Sequence, residues 1–413
     1  MNGSGDPIVV VGAGAAGTMA AIFAAGDGRG VLLLESTNNG GRKIVISGGG
    51  RCNVLPSSAQ PAQFVTASSP NTLRKMLLSW PLAEQRRFFE ETLGIPLALE
   101  EETGKLFPAS NRSRDVRDAL YDHARRRGVE FAFDSRVTAV KSPVADRPWR
   151  VAVEGGEVYA SAVVLATGGL SVPASGSDGA GIRIAERLGH TIHPTYPALT
   201  PLVADPPRHG DLAGISLPVT LAAPLTRGRF TTRGGFLFTH RGYSGPAVLD
   251  ISHLAVRSLL DGGRLQEILV QWTDSDAEEW DRRLAEGGGG EVGPLLRRHL
   301  PDRLADRLVQ ESGVDPVRPL AELRREERSA LVEVLARYPL PWSGDEGYKK
   351  AEVTGGGVAL SEVDARTLES RIRPGLYLCG EMLDAFGPIG GYNFLWGWAT
   401  GRAAGLGASR GRR

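Results

Sequence analysis

The chain has 413 residues, 41% hydrophobic and 23% charged, with a formal net charge of +1, the profile of a soluble globular protein of two or three domains. A near-neutral balance gives no overall field toward nucleic acid or an anionic membrane, and two cysteines argue against a disulfide scaffold or a zinc or iron–sulfur site. No apolar run approaches the roughly 20 residues of a membrane span, and no basic-then-apolar leader opens the chain, so a cytoplasmic protein without a metal is expected.

Ile8–Val11 is all apolar, the composition of a strand buried on both faces of a parallel sheet. Gly12-Ala13-Gly14-Ala15-Ala16-Gly17 follows directly, and the small residues from Thr18 to Ala25 continue it as a helix. A second buried strand, Val31-Leu32-Leu33-Leu34, ends at Glu35 and Ser36, with Glu35 18 positions beyond Gly17. In this βαβ opening each glycine has a task. Gly12 permits the tight turn, Gly14 lets a pyrophosphate touch backbone at a helix N-terminus, and Gly17 allows close helix–strand packing. Glu35 can accept hydrogen bonds from adenosine ribose hydroxyls, and its charge would repel a 2′-phosphate. FAD and NAD remain as cofactors, and NADP is disfavoured at this site.

Gly40-Gly41-Arg42-Lys43 comes next, then Ser47-Gly48-Gly49-Gly50-Arg51-Cys52-Asn53. Three consecutive glycines lose much backbone freedom on folding. Their flanks look ordered, which argues against a linker, so the stretch reads as a cradle holding a cofactor longer than a plain NAD site needs. Arg51 and Asn53 would fix its shape or its phosphates. Residues 70–128 look helical from apolar spacings of three and four. Trp149–Val153 and Glu157–Ala160 flank a Gly-Gly turn as a hairpin, and the buried strand Ala162–Ala166 ends at Thr167-Gly168-Gly169.

The composition changes near residue 191. Residues 191–274 read as a small β unit and 275–337 as charged helices, interrupted by a glycine loop at 287–290. From Tyr348 the earlier style returns, with a strand from Gly375 to Cys379 that ends at Gly380-Glu381. Gly390-Gly391-Tyr392-Asn393 then opens an aromatic helix. A helix N-terminus there would favour the negative charge that reduction places on a flavin's pyrimidine edge. The expected fold is α/β, with one Rossmann-like domain made from residues 1–190 and 345–413 and an inserted domain at 191–344.

The segments GAGAAG, GRKIVISGGGRCN, ATGGLSVPASGSDGAG, GYSGPAVLDIS, VTGGGV and GLYLCGEMLDAFGPIGGYNFLWGWATG together resemble one family over nearly the whole chain. It is the single-FAD flavoprotein family whose members include aminoacetone oxidase and a bile-acid dehydro-steroid reductase. The resemblance implies non-covalent FAD, a parallel-sheet domain and an insert made of a β-barrel and a helical piece. It implies cofactor contacts at Ala16, Glu35, Arg42, Lys43 and Gly48, at the Val137 backbone, at Glu381 and Asp384, and in the 390–393 loop. Ala15, Ser36, Gly41, Ala166, Thr167, Gly168 and Gly380, in or beside the same segments, are expected to bind the cofactor as well. Two departures are Val172, where the pattern has tyrosine, and the variant loop Ala385-Phe386-Gly387-Pro388.

Several single residues have plainer readings. Cys52 reads as a packing residue, since no resolving cysteine is close in sequence. His240, Arg241, Tyr243 and Ser244 read as a structured turn, and Arg125–Arg127 and Arg410–Arg413 as a solvated helix end and a tail. The expected function is flavin-dependent hydride transfer between a small organic substrate and FAD, either as an amine oxidase or as a conjugated-alkene reductase fed by NAD(P)H, with the insert setting substrate choice. An RNA-binding flavoprotein and a flavin-free NAD-dependent dehydrogenase are the alternatives, although no basic stripe marks a nucleic-acid partner. Only one dinucleotide fingerprint is visible, so NAD(P)H would have to enter the substrate pocket and bind weakly. Catalytic side chains, substrate and oligomeric state stay open.

Overall fold

The computed structural model describes residues 5–26, 30–143, 148–262 and 265–411. The chain divides into two compact units, Met1–Pro197 with Glu352–Arg413, and Ala198–Ala351. The first unit is built on a parallel five-stranded sheet in the order Leu376–Leu378, Ala162–Leu165, Ile8–Val11, Val31–Leu34, Val129–Ala132. Its middle strands are fully enclosed: Ile8, Val9, Val10, Val163, Val164 and Leu165 have no exposed surface. Such strands need apolar side chains on both faces, which is why the sequence shows runs rather than alternation.

Helix Ala15–Ala24 leaves the first strand and packs along helix Tyr392–Arg410, the longest of this unit. The contact is made by backbone. A Cβ on Gly401 would overlap the Ala16 carbonyl oxygen, and one on Gly405 would overlap that of Ala20. Glycines one turn apart thus let two helices approach more closely than side chains would permit.

Within residues 70–128 the structure departs from the helical expectation. Helices form at Pro70–Leu77, Leu82–Arg87 and Ser113–Arg126. Between them Leu97–Glu100 and Lys105–Pro108 pair antiparallel, and the second also pairs with Leu55–Pro56. Gly104, at φ +64°, closes the turn. Four-residue strands carry too few alternations to stand out against flanking helical spacing, and the pairing with Leu55–Pro56 is a long-range contact that local periodicity does not register.

The second unit holds a seven-stranded antiparallel sheet, running from Tyr338–Pro339 through Leu269–Gln271, Ser216–Pro224, Arg229–Phe238, Gly242–Ser244 and Leu202–Val203 to Gly344–Asp345. The first and last of these do not pair with each other. Helix Pro246–Leu260 lies on the sheet, and Ala277–Glu286, Val292–Arg297, Asp302–Ser312 and Arg325–Ala336 complete the unit. Its core gathers Phe236, Phe238, Tyr243, Trp272 and Trp280. Among the described residues no helix is long and apolar enough to cross a membrane.

The helix pair gives a first prediction. Gly401→Ala gains up to about 1 kcal/mol of helix propensity but forces a methyl into the Ala16 carbonyl, an overpacking cost of typically about 1–3 kcal/mol. Denaturant unfolding should show a net loss of stability. An unchanged or raised midpoint would mean that the helices can part freely.

Candidate functional site: a glycine-lined cradle

The first βα turn divides its glycines by surroundings. Gly12 takes φ +103°, and a Cβ there would press on the Ala166 carbonyl at 2.6 Å. One on Gly17 would overlap the Gly12 carbonyl oxygen. Gly14 differs: a Cβ would meet nothing within 4 Å, and no side chain caps the helix it opens. Ala15 and Ala16 form the first turn of that helix, under Gly397. The orphan N–H groups there make a partial positive charge that suits an anion.

Glu35 is buried and held from two sides. Its Oε2 accepts from Ala13 N–H at 2.8 Å, and its Oε1 accepts from Thr37 N–H at 2.9 Å and Thr37 Oγ1 at 2.7 Å, with Ser36 Oγ at 3.4 Å. A carboxylate offers about four lone-pair sites, so Oε2 keeps one for a ribose hydroxyl. Ser135 N–H to Glu35 O and Asp134 N–H to Thr37 O bring the next strand, which begins at Val137, beside this acidic strand end.

The second glycine loop opens from a short helix. Residues 42–46 wind as a helix N-capped by Gly41, which breaks at Ser47 (ψ 152°) and turns left-handed at Gly48 and Gly49. Gly50 continues at φ +87°. Ser47 Oγ donates back to Ile44 O, and Cys52 N–H closes on Ser47 O. A Cβ on Gly48 would crowd Asn53 Oδ1 at 2.8 Å and Phe107 at 3.0 Å, whereas Gly49 and Gly50 face open space. Arg51 pairs with Glu100 at 3.0 Å and stacks over Phe107 at 3.9 Å, so it fixes the loop's shape. Arg42 is likewise engaged by Asn38, Asn39 and the Ala174 carbonyl. Cys52 is fully buried, and burial pushes its thiol up to about 12. It packs and does not react.

Lys43 reaches across to the other end of the chain. Its ammonium donates to Glu381 Oε2 at 2.6 Å and Ser171 Oγ at 2.7 Å. Glu381 Oε1 accepts from Ser171 Oγ at 2.7 Å, Thr354 Oγ1 at 3.0 Å and Thr354 N–H at 3.1 Å. Ser171 Oγ also lies 3.1 Å from the Glu352 carbonyl. Beside this network Gly168 lies against Ser177, and Gly380 lies against Ala16, closely enough that neither has room for a Cβ. Val172 follows Ser171 at φ +48°, a strained conformation for a β-branched residue.

Asp384, Tyr392 and Asn393 are engaged locally. Asp384 Oδ2 accepts from Ala67 N–H, Ser68 N–H, Ser68 Oγ and Thr66 Oγ1 at 2.8–3.0 Å. The Asn393 amide bonds both the N–H and the carbonyl of Gly387, and Tyr392 Oη accepts from Gln63. The helix they open starts at left-handed Gly391 and has no side-chain cap. Gly390 packs against the Lys105 stem. Glu352 is exposed, and its pKa is raised by desolvation from the surrounding protein, offset in part by the Lys105 charge.

Sequence reasoning did not single out Ser171, Thr354, Lys105 or Glu352. Ser171 and Thr354 do sit inside the quoted segments ATGGLSVP and VTGGGV, where a lone hydroxyl among glycines was the available signal. Tyr243 is buried in the second unit against His209 at 2.9 Å, so it belongs to that unit's core. Arg127 caps the carbonyls of Ile22 and Ala25, and Arg125 lies over Phe131. Arg412 and Arg413 fall outside the described residues.

These residues fit a flavin dinucleotide. Two buried polar atoms along the cradle, Asn53 Oδ1 and Thr167 Oγ1, have no hydrogen-bond partner, which is costly unless a ligand satisfies them. Gly14, Gly49 and Gly50 leave open room, and two uncapped helix N-termini belong to the same unit.

The chain matches the family model described as the HI0933-like protein Rossmann domain over residues 6–407. It is 35% identical over 398 residues to a ribosomal RNA dihydrouridine synthase of Escherichia coli, covering 95% of each chain. It is 32% identical over 410 residues to a 3-dehydro-bile acid delta(4,6)-reductase of Clostridium scindens, covering 97% of this chain and 98% of that one. Among solved structures, a 3-ketosteroid-delta4-(5alpha)-dehydrogenase from Rhodococcus jostii RHA1 shares the fold at TM-score 0.50 and 17% identity, covering 98% of this chain and 96% of that one. The protein therefore belongs to the HI0933-like family, with a Rossmann-like FAD-binding domain, and is a flavin-dependent oxidoreductase.

Proposed function

We propose that this protein reduces a carbon–carbon double bond conjugated to a carbonyl, and that its substrate is a uracil base in RNA. The observation that carries the reading is the glycine-lined, FAD-type cradle, together with Glu352, an exposed carboxyl whose pKa is raised. The backbone carbonyl of Glu352 lies 3.1 Å from Ser171 Oγ, at the edge of the Ser171–Glu381–Lys43 network. Both relatives' names support the chemistry, since dihydrouridine formation and delta(4,6) reduction each add two hydrogens across a conjugated bond. Neither names an amine.

Gly14 and the first helix would hold the pyrophosphate, Glu35 the ribose, and the 390–392 loop the flavin ring. Bound FAD, with NAD(P)H as its reductant, would provide hydride chemistry at the carbon β to the carbonyl. The chain must then provide a proton for the α carbon and positive potential for the carbonyl oxygen as it gains charge. Glu352 is suited to the first task, because a carboxyl with a raised pKa keeps its proton to higher pH. Lys105 is suited to the second. The described residues hold one dinucleotide fingerprint, so nicotinamide and substrate would use the same opening in turn.

A second reading, reduction of a small steroid-like enone, is favoured by the bile-acid relative. Assaying uridine in ribosomal RNA against a 4,6-unsaturated 3-oxo steroid, with FAD-loaded protein and NAD(P)H, separates the two. Turnover of the steroid alone would overturn the RNA assignment.

Two further outcomes are expected. Gly14→Val should lower FAD affinity by roughly ten- to hundredfold, the equivalent of about 1–3 kcal/mol of steric cost. Gly288→Val, in an open loop of the second unit, should keep its flavin. Flavin absorbance per protein measures both, and equal loss would misplace the cradle. Wild-type turnover should decline as pH rises through the raised Glu352 pKa. Glu352→Gln should lose that alkaline limb and roughly 10²–10⁴-fold in rate at unchanged flavin content. A Gln variant with a normal rate and pH profile would remove Glu352 from the proton step.

A further inference from the structure

We infer that the outer face of the hairpin Ser216–Phe238, carrying Arg227, Arg229 and Arg233, is where the sugar–phosphate backbone of the substrate RNA lies. This rests on the RNA reading above and adds to it the surface that does the binding. The near-neutral charge of the chain conceals a split inside the second unit. Residues 198–260 contain Arg208, Arg227, Arg229, Arg233, Arg241 and Arg257 against only Asp205, Asp211 and Asp250, with no Glu and no Lys. Residues 261–351 reverse the balance, with acidic residues outnumbering basic ones.

The hairpin's register decides which side chains face outward. Its strands pair from Ser216↔Leu237 to Pro224↔Arg229. Val219, Leu221, Ala223, Phe236 and Phe238 point inward and are buried, on the face that helix Pro246–Leu260 covers through contacts such as Phe230 with His253. Arg229, Thr231 and Arg233 alternate with the inward set and are exposed. Arg229 and Arg233 stand about 13 Å apart along one strand, with Thr231 between them and Thr220 across from Arg233. Arg227 projects from the turn.

Among the described residues two of these three arginines have no carboxylate partner: Arg227 and Arg229 enter no ion pair, and Arg233 meets only Asp274, with side chains 66% and 83% exposed. In the helical half, Arg297, Arg328 and Arg337 each pair with a carboxylate and serve as paired controls. A row of exposed guanidinium groups, two of them unpaired and one held only by an exposed Asp274, interleaved with hydroxyls on a pleated face suits phosphate oxygens and 2′-hydroxyls, which fix register without reading sequence.

The test uses full-length, FAD-loaded protein. The triple variant Arg227→Gln/Arg229→Gln/Arg233→Gln is compared with a control triple, Arg297→Gln/Arg328→Gln/Arg337→Gln. Binding to a uridine-containing ribosomal RNA fragment is measured by fluorescence anisotropy across a salt series. Each phosphate that the protein no longer neutralises should flatten the slope of log K against log salt by about 0.7–0.9, so the slope of the hairpin triple should be shallower by about 2–3. Its RNA affinity should fall at least roughly tenfold at low salt, while the control keeps both slope and affinity. Flavin content and melting temperature verify folding. If wild type binds RNA and the hairpin triple binds it equally well, this surface is wrong and the RNA reading survives. If wild type neither binds RNA nor forms dihydrouridine, the RNA reading fails and the surface with it. Loss of binding to anionic phospholipid vesicles, with RNA binding intact, would reassign the face to a membrane.

Discussion

The Lys43–Glu381 ion pair is the contact on which the cofactor side of this protein depends. A carboxylate and an ammonium partly withdrawn from water are stable only when their remaining hydrogen-bonding capacity is used. Here Ser171 and Thr354 use it, so four stretches far apart in sequence must converge on one point. The convergence dictates other choices. Gly169 has to be glycine, because a Cβ would overlap Thr354 Oγ1 and approach Glu381 Oε1 at 2.8 Å. Val172 is held left-handed directly after Ser171. The strain at that position is offset by the network on its N-terminal side.

Local features of the fold were legible in the sequence for a plain reason. A buried parallel strand is an apolar run, and a dinucleotide turn needs its glycines at fixed offsets, so both leave marks within a dozen residues. The glycine environments of the first turn follow that logic: Gly12 and Gly17 are crowded by backbone, while Gly14 faces open space. The βαβ opening, the hairpin at 149–160 and the strand at 162–165 could be read the same way. The strands at 97–108 could not, because their partner at Leu55–Pro56 is remote. The hydroxyls of Ser171 and Thr354 were equally silent, since their role exists only once both ends of the chain have met. Arg51 and Asp384 show the converse. Arg51 is expected from the sequence to shape the cradle or its phosphates, and Asp384, from the family resemblance, to contact the cofactor. Each also holds protein: Arg51 meets Glu100 and Phe107, and Asp384 the 66–68 backbone.

Both cysteines lie fully buried, and burial raises both thiols well above their ordinary range. With both thiols buried and protonated to high pH, neither cysteine is suited to share in electron transfer. The polypeptide is left with the work of positioning, proton supply and charge.

The glycine contact between helices Ala15–Ala24 and Tyr392–Arg410 also bears on how the chain is made. The two helices are separated by nearly the whole polypeptide, a gap on the order of 20–70 s at typical rates of ribosomal elongation. Through that interval the close-packed face around Ala16 and Ala20 has no partner, while the contiguous stretch Ala198–Ala351 can complete its own sheet and core as it emerges. The middle of the sequence is therefore positioned to fold ahead of its beginning. The nascent Rossmann unit spends its synthesis as an unfinished apolar surface, the kind of species that molecular chaperones engage.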